Sequence, residues 1–148
     1  FLKGNPSLKA SFYGISTIEF LSPEISAKEY EKVLIENVSG TPPKFDLILL
    51  GLGDDGHTAS LFPGSKALFE RDDLIAVGEG KGHKRITFTS TLLSSAKEVV
   101  FLVSGASKQI ALKRLLDQNE SWERTPAKLV EPNTEIIVLT DKEAYSRG

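Results

Sequence analysis

The chain has no cysteine among its 148 residues. Disulfide scaffolds, thiolate zinc sites and cysteine nucleophiles are therefore excluded. Long apolar runs are also missing, and none approaches the roughly 18 residues of a membrane span. Neither sign of charge dominates. The net charge is −2, which advertises no nucleic-acid or membrane surface. The opening Phe1-Leu2-Lys3-Gly4-Asn5-Pro6 has neither an initiator methionine nor the charged-then-apolar pattern of a signal peptide. It reads as the interior of a longer chain. What is present, 40% hydrophobic and 26% charged, is the composition of a soluble globular domain. The length suits one domain with a buried core.

One stretch organises the rest. Phe45-Asp46-Leu47-Ile48-Leu49-Leu50 is an apolar run of strand length, introduced by Thr41-Pro42-Pro43. It empties into Gly51-Leu52-Gly53-Asp54-Asp55-Gly56-His57. In open α/β sheets, ligands bind outside the carboxyl ends of the strands. Glycines there let the backbone turn tightly and approach a ligand.

The flanking segments alternate in type. Residues 1–10 read as a loop or frayed end, and Ser11–Phe20 as a short strand. Ser22-Pro23-Glu24 is a helix start, and Ile25, Tyr30, Val33, Leu34 and Val38 share one side of a helix running to about Asn37. A short helix is expected in Ser65–Asp73 and a brief strand at Leu74–Val77. Gly78 to Lys84 reads as a flexible polar loop, Arg85–Thr89 as a strand and Thr91–Ala96 as a turn or short helix. Val99–Val103 is a second buried strand, followed by a helix from Ser107 to about Leu116 with Ile110, Ala111, Leu115 and Leu116 inward. A polar linker surrounds Trp122. Glu135–Thr140 is a third apolar strand, and Asp141 begins a closing helix. This alternation predicts a single α/β domain over 1–148, with a mostly parallel sheet and flanking helices.

His57 is the first candidate for chemistry, because an imidazole transfers protons near neutrality and a carboxylate can orient it. The competing reading is a loop histidine that only bonds backbone. Asp55 is a candidate catalytic carboxylate and Asp54 a weaker one; both also suit turn capping. The Asp-Asp-Gly-His run lacks the ligand count and spacing of a zinc or calcium loop. Ser104-Gly105-Ala106-Ser107-Lys108 brings a strand to a helix start, where N–H groups and the Lys108 charge favour an anion. A plain N-cap with a solvated lysine is the alternative. Arg85 can reach a phosphate or carboxylate, or be solvated. His83 reads as solvent-facing. The glycosylation-type patterns at Asn37 and Asn119 are chance matches.

Taken together, Leu50-Gly51-Leu52-Gly53-Asp54-Asp55-Gly56-His57-Thr58-Ala59-Ser60-Leu61-Phe62-Pro63-Gly64 closely resembles the signature of 6-phosphogluconolactonase. Arg85-Ile86-Thr87, Phe101-Leu102-Val103-Ser104-Gly105 with Lys108, and Pro126-Ala127 agree in order. The resemblance runs from about Lys44 to Asp141; the segment before it is similar only in layout. It implies the C-terminal part of a Rossmann-like fold shared by lactonases and deaminases. The implied activity is hydrolysis of the δ-lactone of 6-phosphogluconate in the pentose phosphate pathway, with no metal or organic cofactor. The implied partner is the phosphorylated sugar lactone, with no nucleic acid or membrane, and the implied location is the cytoplasm. The sequence assigns no oligomeric state.

By this resemblance His57 falls on the catalytic histidine, the general base that activates water, with Asp55 beside it. The glycine-rich turn around Gly53 and Asp55 would shape the lactone pocket, with Gly53 and Gly56 at the substrate, and Arg85 and Lys108 fall on basic substrate-binding positions. Family members extend further at the N-terminus, where a Ser-Gly-Gly type phosphate loop and an acidic-arginine motif belong. Glucosamine-6-phosphate deaminases resemble the chain through Asp55-Gly56-His57 but carry a catalytic glutamate five residues after the histidine. Here that position is Phe62. A sugar-phosphate sensor on the same scaffold is an alternative from a different class.

Overall fold

In the computed structural model the described residues are 11–15 and 22–145. Residues 1–10 and most of the strand expected at Ser11–Phe20 lie outside them, and residues 11–15 carry no regular structure. Helix α1 spans Pro23–Asn37 as the sequence predicts. Ser22 caps it by accepting the Ile25 N–H at 3.2 Å, and Pro23 occupies the first turn. Its inward face is Ser26, Ala27 and Leu34, with Tyr30 and Val38 at the margin. Ile25, expected inward, is exposed.

Three strands form a parallel sheet: β1 (Ile48–Gly51), β4 (Val99–Val103) and β5 (Ile136–Thr140), with β4 in the middle. The register sets Leu50 beside Phe101 and Phe101 beside Val138. Phe101 is fully buried, and such burial stabilises by about 1.5–3 kcal/mol. Strand β1 is shorter than its apolar run. Phe45 precedes it and stacks on Phe88, ring centroids 5.7 Å apart. The remaining strands, β2 (Ile75–Gly80) and β3 (His83–Phe88), form an antiparallel hairpin packed under α1. Glu31 of α1 accepts the N–H groups of Leu74 and Ile75 at 2.6 and 3.0 Å, which fixes the helix on the hairpin.

The hairpin corrects the expected loop at 78–84. Only Lys81 and Gly82 form the turn, both at positive φ (53° and 77°), the combination that suits the twist of a two-residue hairpin. Helix α2 is Ser90–Ser94 and α3 is Gln109–Leu116. A 3₁₀ turn at Ala106–Lys108 precedes α3. In α3 Ala111 and Leu112 are buried and Leu115 packs on the core, while Ile110 and Leu116, expected inward, point to solvent. After β5 the chain makes a turn closed by Asp141, not the expected helix, among the described residues.

Among the described residues one face of the parallel sheet is only partly covered. Leu49, Leu102 and Leu139 are 58%, 49% and 55% exposed. Parallel sheets are ordinarily covered on both faces. The fold is α/β, with a parallel sheet, an antiparallel hairpin and flanking helices. Among the described residues no helix is long and apolar enough to cross a membrane.

Candidate active site

The loop after β1 is closed by its own backbone. Gly53 N–H donates to the His57 carbonyl at 2.8 Å, and Gly56 N–H to the Gly53 carbonyl at 3.0 Å. Thr58, buried, donates its hydroxyl to the Gly51 carbonyl at 2.8 Å. Gly56 has φ 89°, and a Cβ there would stand 3.0 Å from Thr125 Cα. Its carbonyl accepts the Ala127 N–H at 3.0 Å, so the 125–127 segment backs the loop. The N–H groups of Gly53 and Gly56 are thus engaged inside the loop. What these glycines supply is room and shape.

This closure brings Asp55 and His57 together. Asp55 Oδ1 lies 2.5 Å from His57 Nδ1 and also accepts the His57 backbone N–H at 3.1 Å. A carboxylate only accepts, so the proton between them belongs to Nδ1, and in the neutral imidazole it is Nε2 that keeps the lone pair. Gly53 lies directly beneath. A Cβ there would overlap the imidazole and stand 2.7 Å from Asp55 Oδ1. Partial burial pushes the Asp55 carboxyl up, but hydrogen bonds from the His57 ring and N–H, with the nearby Lys81 ammonium, hold it below the ordinary carboxylate value. Asp54 faces away, to Lys81 at 3.4 Å.

The hairpin supplies the opposite wall. Phe62, buried, lays its ring against His57 with centroids 4.3 Å apart, and the Arg85 guanidinium sits 5.6 Å from the same ring's centroid. Gly80 leaves space for the Phe62 ring, and Gly78 for the Ser60 carbonyl. Two residues apart on one strand, they share a face. Ser60 N–H donates to Thr87 Oγ1 at 3.0 Å and Glu79 N–H to Ser65 Oγ at 3.2 Å, which tie the loop to the hairpin. Arg85 is therefore brought to the His57 side of the molecule through Phe62. His83 is exposed at the start of β3, as expected.

Lys108 leaves the same sheet edge, since β1 and β4 are parallel neighbours. Its ammonium has no hydrogen-bond or ion-pair partner among the described residues, His57, Asp55 and Arg85 included. Among the described residues no three His, Cys, Asp or Glu side chains form a group able to hold a metal. Sequence reasoning missed Phe62 as a contact of the histidine, and Thr125 as the support of Gly56. The alternate spacing of Gly78 and Gly80 was a usable signal for the first.

A family profile described as glucosamine-6-phosphate isomerases/6-phosphogluconolactonase matches residues 1–139. The chain belongs to this family. A 6-phosphogluconolactonase of Synechocystis is 49% identical over 125 residues, covering 82% of this chain and 52% of that protein. The crystal structure of 6-phosphogluconolactonase from Leishmania guyanensis superposes with a TM-score of 0.72 at 27% identity, over 82% of this chain and 51% of that one. A monomeric glucosamine-6-phosphate deaminase superposes with a TM-score of 0.67 at 26% identity, over 85% of this chain and 55% of that one. The family fold thus houses both activities. The chain spans about half the length of the curated relatives it matches.

Proposed function

We propose that this chain carries the catalytic loop of a 6-phosphogluconolactonase, which hydrolyses 6-phosphoglucono-δ-lactone to 6-phosphogluconate. The carrying observation is the Asp55–His57 pair at 2.5 Å, with Phe62 packed on the imidazole where a deaminase-like loop has its glutamate. Asp55 holds the imidazole with Nδ1 protonated. Nε2 takes a proton from water as the water oxygen attacks the lactone carbonyl. The tetrahedral intermediate collapses, the ring C–O bond breaks, and the imidazolium returns the proton to the departing ring oxygen. The phenyl group of Phe62 transfers no proton, which favours hydrolysis over deamination. Arg85 and Lys108 favour the anionic phosphate of the substrate, and both are cations without an ion-pair partner among the described residues. Gly53 and Gly56 shape the pocket. The reaction requires no metal or organic cofactor, and a cytoplasmic setting goes with a phosphorylated sugar substrate.

The same reading makes this chain the C-terminal portion of a longer polypeptide. The partly covered Leu49-Leu102-Leu139 face supports it, because a parallel sheet left open to water is unfavourable. The test of function is to offer the longer polypeptide both substrates. Lactone hydrolysis without ammonia release from glucosamine 6-phosphate is expected. Ammonia release at a comparable rate would overturn the assignment.

A further inference from the structure

The carboxylate of Asp141, at the end of β5, reaches across to the segment that follows β4. It accepts the Ser104 hydroxyl at 2.6 Å, the Gly105 N–H at 2.9 Å and, on its own side, the Ala144 N–H at 2.7 Å. Gly105 sits at φ 94°, a left-handed conformation that most residues avoid. The Gly105 carbonyl in turn accepts the Lys108 N–H at 3.0 Å, closing the 3₁₀ turn. Past Lys108, the Gln109 side chain donates to the Glu143 carbonyl at 2.7 Å. Lys108 therefore lies between two clamps, both supplied by the 141–145 turn. That turn is itself anchored by Ala144, which is buried in the main core. The Ser104 hydroxyl and the two N–H groups hold the Asp141 carboxyl below its ordinary value, so at neutral pH it is the charged, stronger acceptor.

The sequence pattern of a strand, a Ser-Gly and a lysine suggests N–H groups offered to an incoming anion. In the structure the Gly105 N–H is already bonded to Asp141. Its work is to set the path of the segment, while Lys108 alone presents the charge. We propose that Asp141 is a positioning residue: it fixes the 104–109 segment and thereby the place of Lys108, and so sets affinity for the anionic group of the substrate without touching it. The inference rests on the lactonase reading and on Lys108 as a substrate contact.

The test is steady-state lactone hydrolysis by the longer polypeptide, with thermal denaturation of each variant as a folding control. Asp141→Asn keeps the size but loses charge and one acceptor. It should raise KM about tenfold while kcat stays within about twofold. Ser104→Ala, which removes one bond only, should raise KM in the same direction by less. The double variant Asp141→Asn/Lys108→Ala should have the KM of Lys108→Ala, because a misplaced lysine and a missing one are equivalent. Additive effects on KM, or equal losses in kcat and KM that track a fall in Tm, would overturn the proposal. If Lys108→Ala leaves KM unchanged, Lys108 as anchor fails and the proposal falls with it. If Lys108→Ala raises KM and Asp141→Asn does not, only the role of Asp141 is refuted.

Discussion

The ring of Phe62 packs, tilted, on the imidazole of His57, centroids 4.3 Å apart, and brings an apolar group rather than a proton-transfer group to that point. Gly80 makes this possible, since a Cβ there would overlap the Phe62 ring. Gly80→Ala should therefore destabilise the fold by about 1–3 kcal/mol through overpacking. Pairing it with Phe62→Leu should restore part of that loss. Denaturant unfolding of the three variants checks this, and a neutral Gly80→Ala would mean that the hairpin can move off the loop at little cost.

Gly53 supports the pair from below. Its Cβ would overlap the imidazole, so Gly53→Ala should disturb the Asp55–His57 contact before it disturbs the fold. The expected outcome is a Tm close to wild type with lactone turnover reduced at least tenfold. The measurement is Tm and kcat on the same preparation; unchanged turnover would separate Gly53 from the site.

Glu120 predicts a pH dependence of stability. Its side chain is only 2% exposed, where it accepts from Arg124 and from the Thr125 hydroxyl. The Arg124 hydrogen bond, ahead of the opposing desolvation and the Thr125 bond, lowers its pKa from 4.5 to about 2. A carboxyl depressed on folding stabilises at pH above its ordinary value, and that contribution disappears as pH falls through the folded value. Glu120→Gln should be less stable than wild type at pH 7, and the gap should narrow from about pH 4.5 toward pH 2. Thermal scans across that range decide it; parallel curves for the two proteins would contradict the coupling. Thr125 lies against Gly56, so this ion pair stands behind the loop that holds Asp55 and His57.

Leu102 tests whether the partly covered sheet face is fully covered in the longer polypeptide. In this chain alone it is half exposed, and Leu102→Ala should change stability by no more than about 0.5 kcal/mol. If the face is covered, the same change in the longer polypeptide should cost about 2–5 kcal/mol. Equal, small effects in both would leave the face to solvent.

The parts of the fold that were legible in the sequence are those fixed locally. The apolar runs at Ile48–Leu50, Val99–Val103 and Ile136–Leu139 became the parallel strands, and Ser22-Pro23 started α1 where its chemistry requires. The hairpin was misread because Gly78 and Gly80 resemble flexible punctuation, whereas their spacing is that of a strand pressed against Ser60 and Phe62. Ile110 and Leu116 were misplaced because in an α-helix they fall on opposite flanks of the arc shared by Ala111, Leu112 and Leu115, too far apart to join one inward face. The proximity of Asp55 and His57 was legible from their spacing. Phe62 stands five residues after His57 on the same loop, and its contact was signalled only by the Gly78 and Gly80 spacing; the supports at Thr125 and Asp141 come from distant segments, and no local pattern announces them.

The central claim is that His57, held by Asp55, is the base that activates water. The most direct measurement is kcat for lactone hydrolysis by the longer polypeptide, corrected for spontaneous hydrolysis, in wild type and in His57→Asn. General-base assistance supplies about 10²–10⁴-fold, so kcat should fall by that factor while KM changes much less. A His57→Asn variant with near-normal kcat would take His57 out of the chemistry and leave it a structural residue of the loop.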